Sequence, residues 1–222
     1  MKSSEAFFKW AFTTRANTVI KIFNDEPMTP EKMFLSFCSH DPTFISNGPA
    51  GLNGSIKGIG FMPKPEFLEE TLEAYINHIK SYDPEDKGYS KRGLGVLIKY
   101  MYGPEARDRV DFSCVGSLEM AKKHSWANYQ ANPEATLMFY QPPMISYELR
   151  GKMEIYDETI SGKRELYQQF INAQHDMYHT PDMSRWLKYA AYVFRIEEIY
   201  DNCATREGFG TQMEYPYEGL LK

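Results

Sequence analysis

The chain of 222 residues is long enough for one well-filled core, and its hydrophobic and charged fractions of 42% and 25% exclude a mainly disordered protein. A formal net charge of −5 argues against a nucleic-acid partner, which needs a basic face, but leaves room for a local basic pocket around one small phosphate. No apolar run reaches bilayer-spanning length, the first ten residues hold no uninterrupted signal-like stretch, and Cys38, Cys114 and Cys203 form no CxxC. Free thiols in the cytoplasm, with no membrane partner, are the expectation.

Residues 1–27 mix aromatic and polar positions and receive no assignment. Thr29-Pro30-Glu31 reads as an N-cap, a proline at the first helical position and an acidic first turn, opening a short helix to Leu35 or Phe37. From Ser39 to Pro65 the chain is rich in Gly, Pro, Asn and Ser, which punctuate loops or a hairpin. Pro65 to Tyr82 carries the strongest helix signal: Leu68, Leu72, Tyr75, Ile76 and Ile79 share one face, and Glu66, Glu69, Glu70 and Glu73 suit the positive end of the dipole.

Gly95–Tyr102 reads as a buried strand, and Arg109–Val115 has the alternation of a half-buried one. A helix is predicted from about Leu118 to Ala131, stopped by Asn132-Pro133. Ala135–Tyr140 is a further strand, followed by Ile145–Tyr156, in which Gly151 marks a bulge. Ser161 to about Tyr178 reads as a helix with Leu166, Phe170 and Ile171 inward, and Tyr192–Tyr200 as the closing strand. The last twenty residues are turn-rich and aromatic, in the manner of a tail that lies on a neighbour.

Asn128-Tyr129-Gln130-Ala131-Asn132-Pro133, its following apolar strand, the Gly-bearing strand Ile145–Asp157 and the closing strand Tyr192–Tyr200 occur in a familiar order. Over residues 93–201 the chain resembles the FMN-binding split β-barrel of the pyridoxamine 5′-phosphate oxidase superfamily. The resemblance implies an α+β fold, a mostly antiparallel split β-barrel with flanking helices, with residues 1–92 as an extension packed on or contributing to the barrel of residues 93–222. Phe44-Ile45-Ser46 and Ser55–Met62 are alternative candidates for the first barrel strand.

The resemblance further implies a flavin-binding oxidoreductase-like homodimer, with FMN held by its phosphate at Ser113, Ser117, Lys122, Lys123 and Ser125. Trp126 is a candidate ring wall and Gln141 a partner for the flavin edge. Ser125 stands where many relatives have lysine, so the phosphate grip is shifted by about a turn or the ligand has changed. A non-catalytic protein binding flavin, haem or deazaflavin on the same fold is the alternative. The residues required for true pyridoxamine-phosphate oxidase activity are not found near the C-terminus.

Each of these readings has a plainer counterpart. Ser117 with Lys122 and Lys123 also reads as an N-cap followed by solvated lysines, and Trp126 with Tyr129 as a pair packed on the barrel. His175 and His179 have the four-residue spacing of zinc ligands but lack the metalloprotease glutamate and a third ligand, so an interface pair is expected. Met177 and His179 are haem candidates, since the resemblance extends to haem-handling barrels, but no axial-ligand motif identifies them. Gly48–Gly54 lacks the GK[ST] ending of a phosphate loop, and Cys114 has no His-Asp neighbours that would make it a nucleophile.

Overall fold

A computed structural model describes residues 2–161 and 165–216. The chain enters on a two-residue strand β1 (Lys2–Ser3), and α1 (Glu5–Phe8) runs through a π-helical turn, Lys9–Thr13, into α2 (Thr14–Phe23). Phe7, Phe8, Ala11, Phe12, Ala16 and Val19 are buried along this helix, a spacing of threes and fours. The segment left unassigned from sequence is thus an amphipathic helix, obscured because Arg15 lies inside its apolar stripe.

Helix α3 (Pro30–Phe37) starts as expected, with the Thr29 side chain accepting from the Lys32 N–H. The turn-rich stretch that follows holds three short strands: β2 (Thr43–Ser46), β3 (Asn53–Ile56) and β4 (Gly60–Pro63). Both candidate first strands are therefore extended, the second split between β3 and β4. Helix α4 (Pro65–Lys80) buries Leu68, Leu72, Tyr75 and Ile79, as its periodicity predicts.

The strand expected at Gly95–Tyr102 is instead helical. Helix α5 (Tyr89–Leu97) continues into a π-helical turn, Ile98–Tyr102, and buries Tyr89, Gly93, Leu97 and Met101 at intervals of four. An eight-residue apolar run does not by itself distinguish a buried strand from a buried helix, and here the tertiary setting decides. The expected boundary at residue 92 consequently falls inside a helix.

The expected helix over 118–131 is also corrected. Strand β5 (Val110–Glu119) runs four residues past the expected end at Val115, two of them in the expected helix, and α6 (His124–Ala131) begins only after a turn. The cause is the Glu119 carboxylate, which accepts from the N–H groups of Ala121 at 2.8 Å and Lys122 at 2.7 Å and wraps the turn around itself. Lys122 there adopts φ +48°.

Strands β6 (Glu134–Gln141) and β7 (Ile145–Tyr156) agree with the sequence reading. The short α7 (Glu158–Ser161) follows, and α8 (Leu166–Asp176) occupies the core of the predicted 161–178 helix, part of which lies outside the described residues. Phe170 and Ile171 point inward as expected, whereas Leu166 is exposed. Strand β8 (Ala190–Asp201) and a short β9 (Thr211–Glu214) complete the chain, so the aromatic tail contributes a strand.

The strands form a sheet in the spatial order β3-β2-β6-β7-β8-β5-β4, antiparallel at every step. No ladder joins β3 to β4 among the described residues, so the fold is an open sheet with flanking helices, of the α+β class, and not a closed barrel. Strand β8 is forked. β7 pairs along one edge, while the other is shared by β5, opposite Ala190–Arg195, and β9, opposite Tyr200–Asp201. β1 lies parallel to β9.

The bulge expected at Gly151 is present. Arg150 opposes Glu198 and Gly151 opposes Ile196, leaving Glu197 unopposed. A Cβ at Gly151 would lie 1.9 Å from the Arg195 carbonyl oxygen, so only glycine allows the two backbones this approach.

The first helix packs on the sheet. Phe7 makes edge contacts with Phe139 and Tyr147 at 5.6 and 5.3 Å, and Phe12 with Phe61 and Phe112 at 5.0 Å each. Each such pair adds about 0.5–1.5 kcal/mol beyond the burial of its area.

Candidate functional site

The seven residues singled out from sequence do not converge. On β5, Ser113 is exposed and donates to Asp111 Oδ1 at 2.5 Å. The Lys122 ammonium pairs with Asp157 Oδ2 at 2.5 Å and sits 5.0 Å from the Trp126 ring, while Lys123 is exposed. Ser125 is buried, its hydroxyl engaged by Asn53 Nδ2 and Ser55 Oγ at 3.0 Å each. Trp126 and Tyr129 both lie against Tyr192 of β8, at 6.3 and 5.3 Å. Gln141 is far along the sheet, accepting from Trp10 Nε1 at 2.8 Å.

Asn128 and Asn132, which open and close the motif behind the family resemblance, act as staples. Asn128 is fully buried, donates to Ser46 Oγ and the Gly51 carbonyl, and accepts from the Ala50 N–H at 2.9 Å. Asn132 donates to the Asn47 carbonyl at 3.0 Å. Together they pin the β2–β3 loop to α6.

Ser117 is the exception. It is 3% exposed and its Oγ has no hydrogen-bond partner; its backbone borders a cleft of about 340 Å³, while its side chain shares a face of β5 with Tyr192 of β8, opposite the face on which Gly116 meets Ile171. Small-molecule sites run from ~300 to 1,000 Å³, so this volume is at the compact end of that range. The cleft lies where β4 and β5 meet the first helix, α3 and α8. Its apolar walls are Phe37, Ile59, Leu118, Met120 and Ile171, and its polar groups are Arg15, His40, Asp41, Gln174, His175, Tyr178 and His179.

The floor is flat because of two glycines. Gly60 and Gly116 oppose each other across β4 and β5. The Gln174 amide lies against Gly60, where a Cβ would sit 1.9 Å from Oε1, and donates to the Phe61 carbonyl at 3.0 Å.

Ile59 organises one end of the cleft. Its N–H donates to the His40 carbonyl at 2.8 Å, and its carbonyl accepts from Arg15 Nη1 at 3.0 Å. Arg15 is 9% exposed, with the Tyr102 and Tyr178 rings 5.8 and 5.9 Å from its guanidinium carbon. No carboxylate stands within ion-pair distance of it among the described residues.

Burial, then the Arg15 charge, push the His40 imidazole down to about 2, so the ring is neutral, and its Nδ1 is buried without a partner. Burial also raises the Asp41 carboxyl, against the opposing pull of Arg15. The predicted histidine pair also lines the cleft, and the His179 charge adds to what lowers His40. The rings of His175 and His179 are 4.4 Å apart, and His175 Nδ1 lies 3.3 Å from the buried Asp176, which also accepts from Trp186 Nε1 at 2.8 Å. Among the described residues no group of three or more His, Cys, Asp or Glu is placed to hold a metal ion.

Sequence reasoning missed Arg15 and His40. Arg15 was detectable as the one charged residue within the stripe Phe8, Phe12, Ala16, Val19, since a charged side chain on a core-facing stripe is rarely buried without a purpose. For His40 there was no signal, because its environment is built by Ile59 and Arg15 from elsewhere in the chain.

No family profile matches the chain, and no curated protein matches it. Solved structures similar to it include HupZ of Group A Streptococcus, at 13% identity over 83% of this chain and 99% of that one, with a TM-score of 0.43. An F420 reductase is 13% identical over 72% of this chain and 88% of that one, with a TM-score of 0.40. A Lactobacillus delbrueckii protein provisionally assigned as a pyridoxamine 5′-phosphate oxidase is 12% identical over 78% and 93%, with a TM-score of 0.35. The chain is thus similar to pyridoxamine 5′-phosphate oxidase-like proteins, and at these scores the finding stops at that likeness. No described helix is long and apolar enough to cross a membrane.

Proposed function

We propose that the protein binds FMN in the cleft between β4, β5, α3 and α8, as an oxidoreductase-like flavoprotein of the split-barrel kind, cytoplasmic and homodimeric. One observation carries this reading. A compact cleft with an apolar wall and a glycine floor is lined by His40, whose buried Nδ1 has nothing to bond. Buried polar atoms in folded proteins find partners, so one left open inside a cleft points to a ligand.

The residues fit the group. Phe37, Ile59, Leu118, Met120 and Ile171 offer apolar contact to a flat ring, and Gln174 offers an amide at its polar edge. Bound flavin supplies hydride chemistry at its ring. The chain's part is to bind it, to turn one face toward the open side of the cleft and to keep water from the other. No side chain need act as a nucleophile. Burial raises the Cys114 thiol far above its ordinary value, which keeps it protonated and inert.

The test is an absorption spectrum of the protein after incubation with excess FMN and removal of what does not stay bound. A flavin spectrum at close to one per chain is expected, and a protein that retains none overturns the reading. Oxidation of NAD(P)H by the loaded protein then separates an enzyme from a carrier. Because His175 and His179 face each other on the cleft rim, haem is the second reading, and a haem band after incubation with haem alone would favour it.

A further inference from the structure

Three of the chain's five histidines, His40, His175 and His179, line the one cleft. Two of them stand together. His175 is in the last turn of α8 and His179 follows four residues on, with ring centroids 4.4 Å apart and planes inclined by 32°. One helical turn is the spacing at which two imidazoles on the same face share a metal ion.

The surroundings of His175 fix which nitrogen it offers. Its Nδ1 lies 3.3 Å from Asp176 Oδ1. Asp176 is 2% exposed and is itself held, accepting from Trp186 Nε1 at 2.8 Å, the Asp182 N–H at 3.1 Å and Arg185 Nη2 at 3.4 Å. A carboxylate against Nδ1 makes that nitrogen the N–H and leaves the Nε2 lone pair free, the arrangement that backs metal-bound histidines. Arg185, the cation beside the pair, is engaged by Asp176 and Asp182.

We propose that His175 and His179 hold a divalent transition-metal ion of the zinc, nickel or copper kind. Imidazole suits these ions, whereas Mg²⁺ and Ca²⁺ take oxygen ligands. No group of three or more His, Cys, Asp or Glu is placed to complete a cage among the described residues, so the remaining coordination positions are open to water or to a molecule in the cleft. Metal binding by this pair is independent of whether the cleft takes a flavin.

The experiment is calorimetric titration of the tag-free full chain with zinc chloride, and separately with nickel chloride. Close to one ion per chain is expected. His175→Ala and His179→Ala should each weaken binding about tenfold or more, while His124→Ala, on the exposed start of α6, should leave it within about threefold. His179 is exposed, so His179→Ala serves if His175→Ala does not fold. Magnesium chloride in about hundredfold excess should not displace the zinc. Absence of binding, or binding that survives His179→Ala, overturns the site. A loss as large with His124→Ala assigns the zinc to scattered surface histidines, and displacement by Mg²⁺ assigns it to carboxylates, and either result also overturns it.

Discussion

Replacing Glu119 with glutamine should destabilise the protein through Lys57. The carboxylate, whose side chain is 2% exposed, accepts from Lys57 Nζ at 2.6 Å and from the two N–H groups of the β5–α6 turn. Glutamine keeps one oxygen for the turn but turns an N–H₂ toward the ammonium, leaving a mostly buried cation without its partner. Breaking a buried pair this way costs roughly 3–5 kcal/mol. The Lys57 side chain retains 15% exposure and lies over the Tyr192 ring at 5.6 Å, so part of that loss is recovered and about 2 kcal/mol is expected. For a chain of this size that lowers Tm by about 4–8 °C.

The assay is thermal and urea unfolding of Glu119→Gln, Lys57→Met and the double variant. A coupling of about 1 kcal/mol or more is expected, since the double variant removes the orphaned charge. The effect must also depend on pH. Burial raises the Glu119 pKa, but the Lys57 hydrogen bond and charge and the two N–H groups outweigh it, so the folded value lies below the ordinary one. The stabilisation is therefore complete above the unfolded value of about 4.3 and is lost as pH falls through the folded value. The gap between wild type and Glu119→Gln should close on acidification. Strictly additive single effects, or a Tm for Glu119→Gln within about 1 °C of wild type, would refute the reasoning.

Four further outcomes follow from geometry. Asn128→Ala should cost about 2–3 kcal/mol, from three lost buried hydrogen bonds, and should raise hydrogen exchange at the Ala50 amide above all others. Gly151→Ala should cost ~3 kcal/mol or abolish folding, since its Cβ meets the Arg195 carbonyl, and an unfolding midpoint near wild type would contradict the bulge. His40 is neutral when folded, so its contribution is present above the unfolded value of about 6.5 and is lost as pH falls below it. Between pH 6.5 and 5 that linkage is worth about 2 kcal/mol, and chemical unfolding of His40→Gln across this range should lack that part of the decline. Finally, the pair Lys122→Ala and Lys123→Ala should leave FMN affinity within about threefold, because Lys122 is held by Asp157, and a tenfold loss would return the phosphate to the α6 end.

The sequence was most readable where one element's own pattern decided the outcome. The face Leu68-Leu72-Tyr75-Ile79, the Thr29 cap, the glycine at the bulge and the strands β6, β7 and β8 all carry local signals, and the structure follows them. It was least readable where partners from afar decide. The run Gly95–Tyr102 became helical because its fourfold spacing packs against neighbours, and the end of β5 was extended by a carboxylate that gathers its own turn. Of the site, Ser117 was legible through the family resemblance alone. The cleft brings Arg15, His40 and Gln174 together from three segments that no sequence spacing relates.

The fork in β8 has a consequence for how the protein stays in solution. Between Arg195, where β5 departs, and Tyr200, where β9 arrives, no strand pairs with that edge of β8 among the described residues. Phe8 spans the two departing arms, 5.4 Å from Phe112 of β5 and 6.1 Å from Tyr215 just beyond β9, and Tyr215 donates to the Phe112 carbonyl at 3.1 Å. An uncovered strand edge recruits further strands from other molecules, and proteins that keep one blunt it with a covering element. Phe8 of the first helix bridges the two arms beside that edge, so damage to it should show as self-association of otherwise folded molecules before it shows as unfolding.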